Sequence, residues 1–216
     1  MSMIKCGILC VPAYDETAVD AVRRMLGAQA PGTSGIAVLA DRHVISQRFL
    51  VEEALRRWCD EDELDLVLTI GGTLPAPGPG ATEIVPEATL AVLERLMPGL
   101  PEAMRAYAQE EAPLALLDRG VAGIRGRTLI VNLPAGAAGA TLFLEAITDV
   151  LTPVVAHLRE APDAPRLSDA LAPTSEKPQA PSPAASESEN PDLASNRRGL
   201  DAEEFAAYLR RRTSGT

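Results

Sequence analysis

The sequence is poor in aromatic residues and in lysine. Only 3% of its 216 residues are aromatic, so the hydrophobic core has to be built from Ala, Val, Leu and Ile. Lys5 and Lys177 are the only lysines, and 30 acidic against 20 basic residues give a formal net charge of −10. Nucleic acids and anionic membranes attract clustered positive charge. This balance therefore argues against both as binding partners.

Long apolar runs and paired cysteines are also missing. No apolar stretch reaches the roughly 18 residues that a membrane-spanning helix needs. The N-terminal apolar stretch is followed by Pro12 and an acidic pair and lacks a small-residue cleavage site, so it is interpreted as a first strand rather than a signal peptide. Cys6, Cys10 and Cys59 are odd in number and sparse. They are interpreted as reduced, buried thiols in a cytoplasmic protein rather than as a disulfide framework or zinc site.

The composition changes near residue 159, which predicts three segments. Residues 1–158 carry 12 basic and 20 acidic side chains and enough apolar residues for one core. Residues 159–198 are rich in Pro, Ala, Ser and Glu, a composition typical of a disordered linker. Residues 199–216 predict a short amphipathic helix, because their Phe, Tyr and Leu side chains recur at helical spacing. This helix either binds a protein partner or packs on its own domain.

Strand and helix patterns alternate through the first segment. Continuous apolar runs predict buried strands at KCGILCV, GIAVLA, DLVLTI and TLIVNL, with shorter strands punctuated by glycine before the last of these. Apolar spacing near 3.6 predicts helices over about 16–28, 44–59, 86–96, 101–110 and 139–158. Buried strands that alternate with helices are typical of a mainly parallel sheet covered on both faces, a three-layer α/β/α fold. Ligands of such folds bind beyond the carboxyl ends of the strands.

A glycine-rich loop follows the DLVLTI strand. Gly71 and Gly72 allow the backbone to approach an anion closely, and Thr69 and Thr73 add hydroxyl groups. The loop matches neither a Walker motif nor a dinucleotide-binding fingerprint. Taken alone, it is better explained as a tight turn between a strand and a helix.

A second such loop, NLPAGAAG, spans Asn132 to Gly139 and leads into the last predicted helix. The N-terminus of a helix favours an anion. A tight turn again explains this loop on its own. Two loops of this kind at one edge of the sheet together favour a phosphorylated ligand.

Charged residues near the strand ends are candidates for metal or phosphate contacts. Asp41 follows the GIAVLA strand, where a carboxylate can hold Mg²⁺ or orient a hydroxyl, or can cap a helix. Glu83 could supply a second metal-facing carboxylate or simply be solvated. Glu87 could do the same or be an acid of a helix's first turn. The three arginines between residues 119 and 127 line the site, an oligomer interface or, the favoured interpretation, a solvated edge.

The succession DLVLTIGGT, PEAT, PGLPEAMR and RGVAGIRGRTLIVNLP resembles the MoaB/Mog molybdopterin-binding family of molybdenum cofactor biosynthesis. The similarity is strong over about residues 36–158, and residues 1–35 share only the order of strand and helix. The resemblance implies a cytoplasmic α/β/α domain, commonly a homotrimer, that binds molybdopterin through its phosphate. Catalytic members adenylylate that phosphate with Mg²⁺ and ATP and release pyrophosphate.

The resemblance also assigns roles to particular residues. Asp41 and Glu83 take the catalytic and metal-binding positions. The ligand-binding positions fall in the two glycine-containing loops and are Thr69, Gly71, Gly72, Thr73, Asn132, Pro134, Gly136 and Gly139.

Several positions depart from the family pattern. Glu83 stands where the family has Asp, Gly136 where it has Ser, and Ala138 where it has Lys. The segment VPAYDETAVDAV replaces a Ser-Gly-x-x-Asp-type segment after the first strand. These changes remove hydroxyls and one cation from positions expected to hold phosphates.

Three functions therefore stay open at the level of sequence. The first is a molybdopterin adenylyltransferase with an unusual site. The second is a binding or regulatory relative without catalysis, which acts through a partner of the C-terminal segment. The third is a structural subunit of an oligomer.

Overall fold

The computed structural model describes residues 3–28, 35–78, 82–162 and 164. Within these ranges strands and helices alternate, and one 3₁₀ turn spans Pro113–Leu117. The strands are β1 (Ile4–Cys10), β2 (Ile36–His43), β3 (Leu66–Ile70), β4 (Arg95–Leu96), β5 (Ala122–Arg125) and β6 (Thr128–Leu133). The helices are α1 (Glu16–Gly27), α2 (Arg48–Asp60), α3 (Val85–Val92), α4 (Gly99–Ala108), α5 (Ala137–Glu145) and α6 (Thr148–Leu158).

These strands form one mixed sheet in the order β2–β1–β3–β6–β5–β4. β1 pairs in parallel with β2 and β3, and β3 pairs in parallel with β6. β5 and β4 continue the sheet in antiparallel pairing. The central strands β1, β3 and β6 are buried along almost their whole length, which is why their sequences are continuous apolar runs. The carboxyl ends of the four parallel strands lie at one edge of the sheet.

Side chains of the central strands alternate between two hydrophobic cores. Ile8 and Leu68 point to the face covered by α1, α4, α5 and α6. Leu9 and Val67 point to the opposite face, where α2 and α3 pack together with the single tryptophan, Trp58. Helices thus cover both faces of the sheet, and the predicted three-layer α/β/α fold is confirmed.

The cysteines follow the sequence interpretation with one difference. All three are free thiols, and Cys6 and Cys10 both pack in the first core, as their spacing on one strand predicts. Cys59 is only half-buried. Burial raises the pKa of the Cys6 thiol, and it raises the pKa of Cys59 to about 11.

The prediction that β2 is a buried strand is wrong. β2 lies at the edge of the sheet, and Ile36 is its only fully buried residue. It also extends to His43, so that Asp41 lies inside the strand, opposite Ile8, rather than after its end. An edge strand has a neighbour on one side only, so its apolar residues are not covered as those of a central strand are.

Two predicted helices are also corrected. The helix over 86–96 stops at Val92, because Arg95 and Leu96 pair with β5 instead, and this long-range pairing overrides the helical pattern. The helix over 139–158 is two helices, α5 and α6. The Ile147 N–H and the Thr148 hydroxyl both bond the Leu144 carbonyl at the break, which ends α5 in a tight turn.

The predicted linker over 159–198 and the predicted helix over 199–216 lie outside the described residues, apart from 159–162 and 164. Both therefore stay predictions. In the part of the chain that the structure describes, no single helix has the length and apolar character needed to cross a membrane; α5 and α6 pass that test only as a pair, and they bend by 67° at their junction.

Candidate functional site

A cleft of about 400 Å³ lies at the carboxyl edge of the parallel strands. It is lined by residues 11–16, which connect β1 to α1, together with Ile70 at the end of β3 and Ala135 after β6. Ile70 immediately precedes the first predicted ligand loop, and Ala135 lies inside the second. The fold therefore places the cleft where the two loops meet, at the edge at which parallel α/β sheets bind ligands.

The glycines of the first loop hold the strand ends together. Gly71 donates its N–H to the Leu133 carbonyl, which ties the end of β3 to the end of β6. A Cβ atom at Gly71 would lie 2.2 Å from the Val11 carbonyl oxygen, and its φ of +93° is a conformation that favours glycine. Gly72 accepts a hydrogen bond from the Val85 N–H, which fixes the start of α3. Both glycines are buried, so they make a rigid junction next to the cleft.

Thr73 joins this loop to the segment before β5. Its hydroxyl donates to Asp118 at 2.5 Å, and its carbonyl accepts from the Arg119 N–H. The other carboxylate oxygen of Asp118 accepts from the Gly120 N–H at 2.8 Å. Burial raises the pKa of the Asp118 carboxyl above its ordinary value, against the opposing effect of these hydrogen bonds. Thr73 is itself buried, so its hydroxyl serves this junction.

Asn132 and Thr69 form a buried polar network beneath the loops. The Asn132 amide donates to the hydroxyls of Thr69 and Thr89, each at 3.0 Å. Its carbonyl oxygen accepts from the Val121 N–H at 3.1 Å. Asn132 and Thr69 are 1% and 0% exposed, so both residues are buried in this structure.

The second loop opens toward the cleft at the start of α5. Pro134 is buried, and Gly136 has a φ of +83° and takes the N-cap position. Gly139 lies in the first turn, where an added Cβ atom would stand 3.3 Å from the Pro134 ring. Among the described residues this N-terminus has neither a capping side chain nor an acid in its first turn. The partial positive charge of the helix end is therefore available to an anion.

Asp41 accepts hydrogen bonds from two side chains. The Tyr14 hydroxyl donates to its Oδ1 and the Arg23 guanidinium to its Oδ2, each at 2.7 Å. Its hydrogen bond to Asp41 raises the pKa of Tyr14 to about 12. A carboxylate is a suitable ligand for Mg²⁺, and here each of its oxygens already accepts one hydrogen bond.

Glu83 lies in a separate set of contacts. Its carboxylate accepts from the Leu74 N–H at 3.2 Å, and its carbonyl accepts from the Arg119 guanidinium at 3.3 Å. Arg119 also forms an ion pair with Glu87. Asp41 and Glu83 therefore share no partner in the structure. The described ranges contain no group of three or more His, Cys, Asp or Glu placed to hold a metal ion.

Three residues at this edge were not singled out by the sequence patterns: Tyr14, Arg23 and Asp118. Arg23 lies on a helix face, and Asp118 directly follows the 3₁₀ turn, so neither carries a local signal. Tyr14 does carry one. It is one of only seven aromatic residues, and it follows a strand end at the edge where ligands bind.

The raised pKa of Asp118 predicts a pH dependence of stability. Because the folded state holds this proton more tightly than the unfolded chain, the folding stability that Asp118 contributes is fully present at low pH and falls as pH rises through the raised pKa. We expect the free energy of unfolding of the native protein to fall, relative to that of Asp118→Asn, as pH rises above the ordinary aspartate pKa of about 4. Urea titrations at several pH values measure this difference. Glu110→Gln, at an exposed carboxyl, provides the control, and an equal slope for both variants would contradict the prediction.

The geometry defines a class of protein: a three-layer α/β/α domain in which two glycine-containing loops meet beside a cleft at the carboxyl edge of a parallel sheet. Residues 12–157 match the family described as "Probable molybdopterin binding domain". The chain belongs to this family, and the MoaB/Mog resemblance seen in the sequence is confirmed.

Similar proteins agree with this assignment. The MoaB protein of Thermus thermophilus has a structure with a TM-score of 0.65, 38% identity, and coverage of 74% of this chain and 99% of that one. The structure of the Mog protein of Mycobacterium ulcerans matches with a TM-score of 0.62 and 30% identity, and the match covers 73% of this chain and 99% of that one.

Curated relatives are similar over a shorter stretch. The molybdopterin adenylyltransferase of Escherichia coli is 39% identical over 119 residues, or 55% of this chain and 59% of that protein. That of Helicobacter pylori is 42% identical over 104 residues, or 48% and 57%. The chain thus spans under three fifths of the length of these curated relatives.

Proposed function

We propose that this protein binds molybdopterin at the carboxyl edge of its sheet and transfers AMP from ATP to the molybdopterin phosphate. The observation that carries the proposal is the junction of the two loops, in which Gly71 bonds the Leu133 carbonyl beside the cleft and the open start of α5. Two relatives that carry the name molybdopterin adenylyltransferase support the same activity. The resemblance predicts the ligand contacts, which are Thr69, Gly71, Gly72, Thr73, Asn132, Pro134, Gly136 and Gly139.

In the proposed reaction an oxygen of the molybdopterin phosphate attacks the α-phosphorus of ATP. The bond from this phosphorus to the bridging oxygen breaks, and pyrophosphate leaves. The chain contributes position and charge: the start of α5 faces an anion with N–H groups, and the rigid glycine junction fixes the loops. The buried network of Asn132 supports both loops from below. The resemblance predicts Mg²⁺ at Asp41 and Glu83, whereas the contacts of Asp41 with Tyr14 and Arg23 favour a positioning role for Asp41, and metal binding decides between the two. A cytoplasmic location stays a prediction.

Pyrophosphate release from the full chain with molybdopterin and Mg-ATP tests the activity. Ala138 is exposed in the first turn of α5, where the family has a lysine. We expect Ala138→Lys to tighten ligand binding about tenfold, since charge-assisted hydrogen bonds to phosphate contribute about 1.5–3 kcal/mol. Ala103→Lys adds the same charge at an exposed position of α4 and serves as the control. Absence of pyrophosphate from both the native chain and Ala138→Lys would refute the adenylyltransferase proposal.

A binding or regulatory relative without catalysis is the second candidate. The missing lysine at position 138 and the double engagement of Asp41 favour it. It predicts saturable molybdopterin binding without pyrophosphate release. It also predicts that deleting residues 160–216 leaves the domain folded but abolishes recovery of a protein partner; undiminished recovery of the partner would contradict that role for the C-terminal segment.

A homotrimer is the proposed assembly. Large exposed apolar side chains occur on α3, on β4 and on the 3₁₀ turn, namely Leu90, Leu96, Leu114, Leu116 and Leu117, with 47–75% of their surface accessible. β4 also lies at an edge of the sheet. Apolar surface of this kind is typical of an interface between proteins. Light scattering of the native chain and of Leu114→Glu tests the assembly, and a native monomer at micromolar concentration would refute it.

A further inference from the structure

Tyr14 is the aromatic wall of the cleft. Tyr14 is 43% exposed, and among the described residues no other aromatic side chain lines this cleft. The remaining lining is largely aliphatic and includes Val11, Ile70 and Ala135. Two acids also line the cleft: Asp15 caps α1 by accepting from the Ala18 N–H at 2.9 Å, and Glu16 begins that helix.

The ring of Tyr14 is held in place from outside the cleft. Its hydroxyl donates to Asp41, and Asp41 is held in turn by Arg23. The His43 ring packs against the Tyr14 ring edge to face, with 6.5 Å between centroids. Arg23 also pairs with Asp20 at 3.5 Å on α1. These contacts orient the ring in the free protein, so a ligand that stacks on it loses little side-chain entropy on binding.

We propose that Tyr14 is the surface on which the flat heteroaromatic ring of the ligand, a pterin or a purine, stacks, and that Asp41 is a positioning residue for Tyr14 rather than a metal ligand. The proposal rests on the proposed function for the ring chemistry of the ligand. The cleft combines an aromatic wall and aliphatic neighbours, which suit a planar ring, with the anion-favouring start of α5 reached through Ala135. A phosphorylated ring compound meets both features at once. Tyr14 and Arg23 lie in or next to the segment that departs from the family pattern, so the arrangement belongs to this chain.

Ring binding is tested on the full chain with two probes, 6-hydroxymethylpterin by fluorescence quenching and AMP by calorimetry. Tyr14→Ala should weaken the stacking probe about tenfold, while Tyr14→Phe, which keeps the ring, should stay within about threefold. Tyr107→Ala, at a tyrosine of similar exposure (39%) on α4, is the matched control and should change nothing. Whichever probe loses affinity in Tyr14→Ala identifies the ring as pterin or purine. Failure of the native chain to bind either probe, or equal affinities for Tyr14→Ala and the native chain, would overturn the proposal.

The role of Asp41 is tested by metal binding rather than by activity. Asp41→Asn keeps an oxygen that accepts from Tyr14 but removes the charge that a metal requires. We expect electron paramagnetic resonance titrations with Mn²⁺ to give the same affinity for this variant and the native chain, while Asp41→Ala weakens the ring probe about threefold through the released Tyr14. Loss of Mn²⁺ binding in Asp41→Asn would overturn the positioning role. The fluorescence of Trp58 checks that each variant is folded.

The two proposals fail in different experiments. If no pyrophosphate forms but ring binding depends on Tyr14, the adenylyltransferase proposal falls and the stacking site stands. If pyrophosphate forms but Tyr14→Ala binds both probes normally, the activity stands and the stacking site falls.

Discussion

Replacing Gly71 by alanine is expected to lower the free energy of unfolding by about 3 kcal/mol and to abolish ligand binding. The new Cβ atom would stand 2.2 Å from the Val11 carbonyl oxygen, a backbone atom that cannot rotate away. Alanine at this position would also have to adopt a φ of +93°, a backbone conformation that disfavours a side chain. Relief requires β1 and β3 to separate where their ends meet the cleft, so stability and the site are lost together. Urea unfolding followed by Trp58 fluorescence measures the first effect, and calorimetry with AMP measures the second.

Substitutions at two other glycines separate the steric clash at position 71 from the strain of its positive φ. Gly78 has a φ of +65° but open space around it, so Gly78→Ala reports the backbone strain alone, about 1 kcal/mol. Gly27 has neither a positive φ nor a neighbour within 4 Å, and Gly27→Ala should be neutral or slightly stabilising. A cost for Gly71→Ala no greater than that for Gly78→Ala would show that the ends of β1 and β3 are looser than the structure describes.

The central part of the fold could be predicted because a strand buried on both faces has a continuous apolar sequence. β1, β3 and β6 are continuous apolar runs in a chain where strands alternate with helices, which is typical of a parallel sheet covered on both faces. The sequences of the edge strands β2 and β4 do not show that these strands lie at the edges. Arg95 and Leu96 continue a helical pattern, and only the pairing with Ile124, some thirty residues later, makes them a strand. β2 was predicted too short and too buried, because nothing local shows that it has one neighbour.

The site was predictable as a place but not as a set of contacts. Both loops were expected at one edge of the sheet, and the structure puts them there beside the cleft. The local sequence could not show which polar side chains face inward. Thr69 and Asn132 lie on adjacent strands and in register with each other, so they bond each other instead of the solvent. Asp118 could not be found because its partner, Thr73, is 45 residues away.

The scarcity of lysine limits the positive charge that the cleft can offer to a phosphate. The described domain has an acidic balance, and two arginines at this edge of the sheet are already held by carboxylates: Arg23 by Asp41, and Arg119 by Glu87. An arginine held in this way contributes less net charge to an incoming phosphate. The N–H groups at the start of α5 are then the main anion-favouring feature of the cleft, which is why a lysine at position 138 should have a large effect.

Replacing Asn132 by alanine is expected to cost about 3 kcal/mol of stability. The substitution removes three hydrogen bonds from a side chain that is 1% exposed and leaves the Val121 N–H and two threonine hydroxyls without this partner. Each buried polar group that loses its partner costs about 1–3 kcal/mol, partly offset where a hydroxyl rotates to another acceptor. Urea unfolding followed by Trp58 fluorescence provides the measurement.

Thr69→Val and Thr89→Val are the matched controls for this network, because each removes one of the bonds and should cost about 1 kcal/mol. The comparison also separates the two roles that Asn132 can have. If Asn132 supports the loops from below, its replacement lowers the free energy of unfolding first, and ligand affinity falls only as the loops loosen. If Asn132 contacts the ligand, its replacement lowers ligand affinity while the free energy of unfolding stays nearly unchanged. A stability loss below about 1 kcal/mol with abolished AMP binding would therefore return Asn132 to the ligand contacts predicted from the sequence and contradict its structural role.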